Sequence, residues 1–306
     1  MSISPPSSFD EDSTINLPPE SAAIPKRVRV SACGLTDRGK VRTNNEDNFM
    51  IARMSKSLRI IKTSLKGQGA NKYSEEDAYL LIVADGLGGA AAGEEASAAT
   101  VATIENFALN AFKWFLHFRK DERDQLCREL QEALTEADHE VFRIARENRS
   151  QGGMGSTLTM GYSVGNSLYL VHAGDSRAYI LRGSDFEQIT HDHTYVQMLI
   201  DSGAITESMA RTHARRNVVT NVVGGPEPGV HAEIHKAEIR DGDVLLLCTD
   251  GLTEHVPDET IHQVLLDHPD PKAACQRLLT LALDDGGRDN ITIVVARYHV
   301  DETIGL

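Results

Sequence analysis

The chain has 306 residues, 41% of them hydrophobic and 25% charged, a balance that excludes a wholly disordered or fibrous protein. Lysine and arginine total 31 against 45 aspartates and glutamates, a net charge of −14. That sign excludes duplex nucleic acid and an anionic membrane as the main partner, because both are held by basic surfaces.

Residues 1–25 hold half of the ten prolines, among serines and four acids, with no lysine or arginine before Lys26. A basic start and an apolar core are both missing, so this is a disordered leader and not a signal peptide. Further on, Phe49–Ala52, Tyr79–Ala84, Leu168–Ala173, Val244–Cys248 and Ile291–Ala296 are apolar runs that predict buried strands. No strictly apolar stretch of the body, Val244–Cys248 among them, comes near the length of a membrane span. Residues 53–77 carry Arg53, Lys56, Arg59, Lys62, Lys66 and Lys72, a basic island expected as an inserted hairpin or loop. Two helices are predicted between the second and third strands. The first, over 93–118, is almost continuously apolar; the second, over 120–148, places Leu126, Leu130, Leu134, Ala137, Val141 and Ile144 on one stripe. His191-Asp192-His193 reads as a polar turn before a short helix over Thr194–Asp201, and His231 and His235 alternate with apolar neighbours as on a half-exposed strand. Asp270 and Pro271 open a helix that runs to Leu283 and stops at Gly286-Gly287. Helices grouped between strands predict α+β layers and not a doubly wound parallel sheet. Cys33, Cys127, Cys248 and Cys275 lie far apart without a C-x-x-C pair, as reduced thiols of a cytoplasmic protein do.

Four aspartates recur in one kind of place. Asp85 ends Leu80-Leu81-Ile82-Val83-Ala84 and precedes Gly86, and Asp250 follows Leu245-Leu246-Leu247-Cys248-Thr249 and precedes Gly251. Asp175 ends Leu170-Val171-His172-Ala173-Gly174, and Asp289 stands two residues before Ile291. One Asp-Gly after a strand is an ordinary turn. Four at the rims of apolar strands gather carboxylates at one edge of the core if those strands pack together. Their repulsion, about 1 kcal/mol per pair at 4 Å in water and several-fold more when desolvated, is relieved by divalent cations. Carboxylates and the Gly86 carbonyl are oxygen donors, which suit Mn²⁺ or Mg²⁺ and not Zn²⁺. Two such ions activate a water and clamp a phosphoryl group for in-line attack. Arg42, which opens Arg42-Thr43-Asn44-Asn45-Glu46-Asp47, supplies a forked cation for phosphate oxygens, and Glu46 orients the metal-bound water.

With Val83-Ala84-Asp85-Gly86-Leu87-Gly88-Gly89, Gly155-Ser156-Thr157, Gly174-Asp175-Ser176-Arg177, Thr249-Asp250-Gly251 and Arg288-Asp289-Asn290, the Arg42 block resembles the metal-dependent serine/threonine phosphatases of the protein phosphatase 2C-like (PPM-type) family in its bacterial form. The blocks run in the family's order over residues 30–298, which favours one catalytic domain, 26–300, over the two that length alone allows, with 301–306 as a tail. The resemblance implies a four-layer α-β-β-α sandwich of two antiparallel sheets flanked by helices, with the metal site between the sheets. It implies that Asp85 bridges two Mn²⁺ or Mg²⁺ ions, that the Gly86 carbonyl joins one, and that Asp250 and Asp289 complete the other. Asp175 would hold a third, weaker ion, and residues 197–225 would form a flap beside the site. The implied reaction is hydrolysis of phosphoserine and phosphothreonine in phosphorylated proteins by metal-bound hydroxide, without a phosphoenzyme. A serine/threonine protein kinase is the implied opposing partner in signal transduction, with no nucleic acid and no membrane involved; the chain is expected to be a monomer. Where some members have a histidine as general acid after the Asp-Gly pair, this chain has Leu87.

Two other readings use the same residues. Gly86-Leu87-Gly88-Gly89-Ala90-Ala91 fits the dinucleotide pattern G-x-G-x-x-A, but Asp85 would face the pyrophosphate and the acid about twenty residues on, Glu105, falls inside a helix. The fold could also serve as a pseudophosphatase that binds phosphoproteins, against which the intact Asp85, Asp250 and Asp289 argue.

Overall fold

The computed structural model describes residues 27–58, 72–110, 122–148 and 151–301. The leader, the loop basic residues Arg59, Lys62 and Lys66, the last turns expected of the first long helix, and all of the tail beyond Asp301 lie outside the described residues.

Two five-stranded sheets carry the fold, and every pairing in them is antiparallel. The first is ordered β1 (Arg27–Asp37), β13 (Ile291–Asp301), β12 (Val244–Cys248), β8 (Arg177–Arg182) and β9 (Asp185–Gln188). The second is ordered β11 (Glu233–Glu238), β7 (Ser167–Ala173), β6 (Leu158–Val164), β3 (Lys72–Ala84) and β2 (Asn48–Leu58).

The side-chain alternation of a strand explains why the apolar runs are unbroken. In β12, Leu245 and Leu247 pack between the sheets, whereas Val244, Leu246 and Cys248 join the outer core. In β3, Leu81 and Val83 face the first sheet while Leu80 and Ile82 face outward. Each outer face is covered by helices. Ala96 and Ile104 of α1 (Ala90–Asn110), with Leu126, Leu130, Leu134, Ala137 and Val141 of α2 (Glu122–Glu147), pack on the second sheet. On the first sheet lie Ile261 and Leu265 of α6 (Asp258–Asp267), with Ala274 and Leu278 of α7 (Pro271–Asp284). The layers are therefore α-β-β-α, as expected. Asp270 caps α7 by accepting the Ala273 N–H at 3.0 Å.

The structure departs from the expectation in several places. The first long helix begins at Ala90, three residues early, and Thr194 caps α3 (Tyr195–Asp201) from outside it. The strands expected at 49–52 and 79–84 run on as an antiparallel pair to Leu58 and from Lys72, across a register shift between Ser55 and Ser57. His231 lies outside β11, which starts at Glu233. A third, three-stranded ribbon, β10 (Val223–Gly224), β5 (Gly155–Ser156) and β4 (Gly86–Leu87), went unforeseen because two-residue strands leave no periodicity to read. It joins the residues after Asp85 to the end of the 197–225 segment, which also holds α4 (Glu207–Ala210). No helix among the described residues is long and apolar enough to cross a membrane.

Candidate metal centre

The sequence-predicted acids sit on turns at one rim of the two sheets. Asp85 separates β3 from β4, Asp289 precedes β13, and Asp175 lies between β7 and β8. Asp250 is the first residue of α5 (Asp250–Thr253), directly after β12 and its Thr249 cap.

Hydrogen bonds tie these turns to one another across the sheets. The Asn290 side chain accepts the Glu46 N–H at 2.8 Å and donates to the carbonyls of Arg38 and Asn44 at 3.0 and 2.8 Å, which pins the Arg42 loop to the Asp289 turn. Thr249 donates its hydroxyl to Asp47 Oδ2 at 2.8 Å. Gly86 N–H donates to the Glu46 carbonyl at 3.2 Å. The Asp85 N–H donates to Thr157 Oγ1 at 2.9 Å, and that oxygen lies 2.8 Å from Ser176 Oγ, beside Asp175. Gly86 leaves no space for a ligand at its own Cα: a Cβ there would run into the carbonyls of Gly93 and Glu46. At Gly88, the glycine that in a dinucleotide site lets the backbone approach a pyrophosphate, an added Cβ would meet Met154 Cα at 3.0 Å, so protein fills that ground, which argues against the dinucleotide reading.

The acids lie within electrostatic reach of one another. Burial, then Asp47, Asp250, Asp175 and Asp289, holds the Asp85 carboxyl well above the usual carboxylate range. Asp250 is raised likewise by burial, then by Asp175 and Asp289. Burial lifts Asp175 to about 6, with Asp192 adding to it. Glu46 is raised by burial and partly relieved by Arg42. Arg42 donates from Nη2 to Asp289 Oδ2 at 2.6 Å, with half of its side chain in solvent.

Asp47 is the residue that sequence reasoning missed. It is 4% exposed, and burial lifts its carboxyl to about 7 against the hydrogen bonds of Thr292 and Thr249. Its signal was present: an acid directly before the apolar strand β2, the mirror of the acids that follow β3 and β12. Asp47 Oδ1 and Asp250 Oδ1 are buried with no hydrogen-bond partner. Desolvated carboxylate oxygens without partners are costly unless something positive meets them. The all-oxygen donor set therefore fits hard divalent ions.

A second group, His172, His193 and Glu233, brings one donor atom each within 4.8 Å; among the described residues it is this trio, and not the aspartates, that closes so far. Its hydrogen bonds argue against a metal. The Gly174 N–H and the Asn221 amide both point at His193 Nδ1, at 3.1 and 3.0 Å. Asn221 is fixed in that orientation by His231, whose N–H it accepts and whose carbonyl it donates to. His193 Nδ1 is thus a lone pair, and Nε2 carries the hydrogen that meets Glu233 Oε2 at 3.0 Å. His172 Nε2 faces the His191 carbonyl at 3.2 Å and is a donor as well. The nitrogens that would coordinate are already protonated, so the trio is a hydrogen-bonded clasp.

The sequence profile of the family described as Protein phosphatase 2C matches residues 61–279. The chain is 37% identical over 262 residues to the serine/threonine protein phosphatase PstP of Mycobacterium tuberculosis, an alignment that takes in 85% of this chain and 43% of that protein, so the chain spans less than half of that relative's length. It is 29% identical over 265 residues to the serine/threonine phosphatase stp of Listeria innocua, covering 87% of this chain and 94% of that one. Among solved structures, the catalytic domain of PstP in complex with two manganese ions matches with a TM-score of 0.69 at 34% identity, over 89% of this chain and 99% of that chain. Stp1 of Staphylococcus aureus matches with a TM-score of 0.71 at 29% identity, over 88% and 95%.

Proposed function

The chain belongs to the protein phosphatase 2C family, and from that premise we propose that it is a phosphatase that removes phosphate from phosphoserine and phosphothreonine of phosphorylated proteins, using Mn²⁺ or Mg²⁺ bound by Asp85, the Gly86 carbonyl, Asp250 and Asp289. The observation that carries this reading is the set of mutually destabilised, partly orphaned carboxylates at the rim of both sheets, with one arginine beside them. PstP, whose catalytic domain has been solved with two manganese ions, supports the same metals here. Asp175 would hold a third, weaker ion.

When bound, such ions supply an activated water and positive charge for the phosphoryl group. The chain's own residues do the rest. Arg42 is exposed enough to exchange Asp289 for the phosphoryl oxygens of an incoming ester, and its fork fixes their orientation. Glu46, held through its backbone by Asn290 and next to Arg42, orients the attacking water. Asp47 is held at Oδ2 by Thr249, while its Oδ1 is buried and takes no hydrogen bond. Leu87 has no proton to give to the departing serine or threonine oxygen, so no side chain is assigned as general acid and water is the default proton source. The four free cysteines support a cytoplasmic setting. There a serine/threonine kinase would make the phosphoproteins that this chain turns over in signal transduction, and the 197–225 segment would flank them as a flap.

The test is turnover of an aryl phosphate and of a phosphothreonine peptide by chelator-stripped protein, before and after Mn²⁺ or Mg²⁺ is added. Activity is expected only with metal. Turnover that resists the chelator would refute the metal mechanism, and phosphopeptide binding without turnover would make the chain a binding module.

A further inference from the structure

Behind the proposed ligands stands a buried histidine that the mechanism does not use. The His255 side chain is 0% exposed, one turn beyond α5, whose first residue is Asp250. Its backbone is fixed there, since the His255 N–H donates to the Leu252 carbonyl at 3.1 Å. Its ring reaches across to the other ligand-bearing turn. The Arg288 N–H donates to His255 Nε2 at 3.0 Å, so Nε2 is a lone pair and Nδ1 carries the hydrogen. Asp285 Oδ2 accepts from that Nδ1 at 2.9 Å. Asp285 is itself anchored as the C-cap of α7, with its N–H on the Leu281 carbonyl. The Arg288 guanidinium approaches from the solvent side, 3.5 Å from Nδ1 and 3.9 Å from Asp285.

Asp289 follows Arg288 directly, so a hydrogen bond to the Arg288 amide fixes the backbone on which the Asp289 carboxylate stands. The turn is held on two further sides, by Lys40 N–H on the Gly287 carbonyl at 2.7 Å and by the Asn290 side chain. Those contacts tie it to the Arg42 loop. His255 alone among these contacts ties it to α5 and so to Asp250. Carboxylates that must share one ion have to keep a fixed spacing before the ion arrives, and groups that orient ligands are commonly worth as much as weaker ligands.

We propose that His255 and Asp285 are a positioning pair that fixes the spacing between Asp250 and Asp289. The pair touches neither substrate nor metal and acts through the Arg288 amide. This rests on the reading of Asp250 and Asp289 as metal ligands.

The experiment is a calorimetric titration of Mn²⁺ into the chelator-stripped full chain, with circular dichroism as the check on folding. Three variants are compared with the unaltered protein. His255→Leu removes donor and acceptor together and is expected to weaken Mn²⁺ binding about tenfold or more, the usual cost of losing such a support. His255→Gln keeps an acceptor and a donor and should recover most of that loss, which a merely space-filling role would not allow. KM for an aryl phosphate should stay unchanged in both while kcat falls, because Arg42 is untouched. Asp285→Ala alters an exposed residue and decides the matter should His255→Leu fail to fold; it is expected to weaken binding by about threefold or more. Folded variants that bind Mn²⁺ as tightly as the unaltered protein would overturn the proposal. Absence of Mn²⁺ binding in the unaltered protein would instead overturn the metal reading itself, and this inference with it.

Discussion

Arg42 is paired with Asp289 at 2.6 Å, yet half of its side chain is open to water. A surface ion pair of this kind adds little to stability, so the proposed worth of Arg42 is as a clamp once a phosphate displaces the carboxylate. A charge-assisted hydrogen bond is worth about 1.5–3 kcal/mol. Arg42→Ala is therefore expected to raise KM for an aryl phosphate about ten- to a hundredfold, with thermal stability unchanged; steady-state kinetics with an unchanged KM would refute the clamp. Asp250→Asn should instead lower kcat, by at least about a hundredfold given that even a supporting group costs up to that much, with the fold intact by circular dichroism. Asp85, Asp250 and Asp289 were legible in the sequence because each abuts an apolar run and a turn, a pattern that needs no knowledge of neighbours. Asp47 shared that position but was hidden in a string of polar residues. The clasp of His193 on Glu233 was illegible for another reason: the partners are forty residues apart in sequence, and nothing local connects them.

At the scale of elements, the same contrast separates inner from edge strands. Val244–Cys248 was read to the residue because both of its faces are buried. At the two sheet edges the signal is weaker: the alternation around His235 pointed to the strand Glu233–Glu238 but not to its start, and Asp185–Gln188, with half-exposed polar residues, carries too little apolar content to announce itself. The β7–β11 edge nevertheless bears a testable charge. His172 lies opposite Glu233 in the register, wholly buried, and burial together with His193 lowers its pKa from 6.5 to about 4. Burial alone would raise Glu233, but hydrogen bonds from His193 and His235 outweigh it and bring it down to about 2. Below pH 6.5 the unfolded chain takes up a proton at His172 that the folded chain refuses. The share of stability that depends on His172 is therefore full above pH 6.5 and falls as the pH drops toward 4, by about 3 kcal/mol at 1.36 kcal/mol per pKa unit, against the opposite trend of the raised acids Asp47 and Asp175. Glu233 extends the loss below its own unfolded value. The difference in urea stability between the unaltered chain and His172→Gln isolates this share and should change by about that amount between pH 6.5 and 4; a difference that does not change with pH would assign the acid sensitivity elsewhere.

For the whole molecule, the acidic rim opposes the folding of everything beneath it. Three apolar cores and two sheets hold Asp47, Asp85, Asp175, Asp250 and Asp289 within electrostatic reach of one another, against the burial, first, and the nearby like charges, second, that raise each of Asp47, Asp85, Asp175 and Asp250 above its ordinary value. Only the folded chain gathers these groups, so ions that bind them stabilise the folded state by mass action. At a hundred times the dissociation constant that is about 2.7 kcal/mol, or about 5–10 °C in Tm for a chain of this size. Scanning calorimetry should show that rise when Mn²⁺ is added to stripped protein. Asp85→Asn separates this account from nonspecific salt effects, because it acts with opposite signs on the two states. Removing one buried charge relieves the metal-free protein, so its Tm without Mn²⁺ should exceed that of the unaltered chain. If Asp85 is the shared ligand proposed, its loss weakens the ions' hold, so the rise on adding Mn²⁺ should largely vanish. A variant that melts lower than the unaltered chain without metal, or that keeps the full metal-induced rise, would mean that the carboxylates are held apart by the fold and do not form one centre.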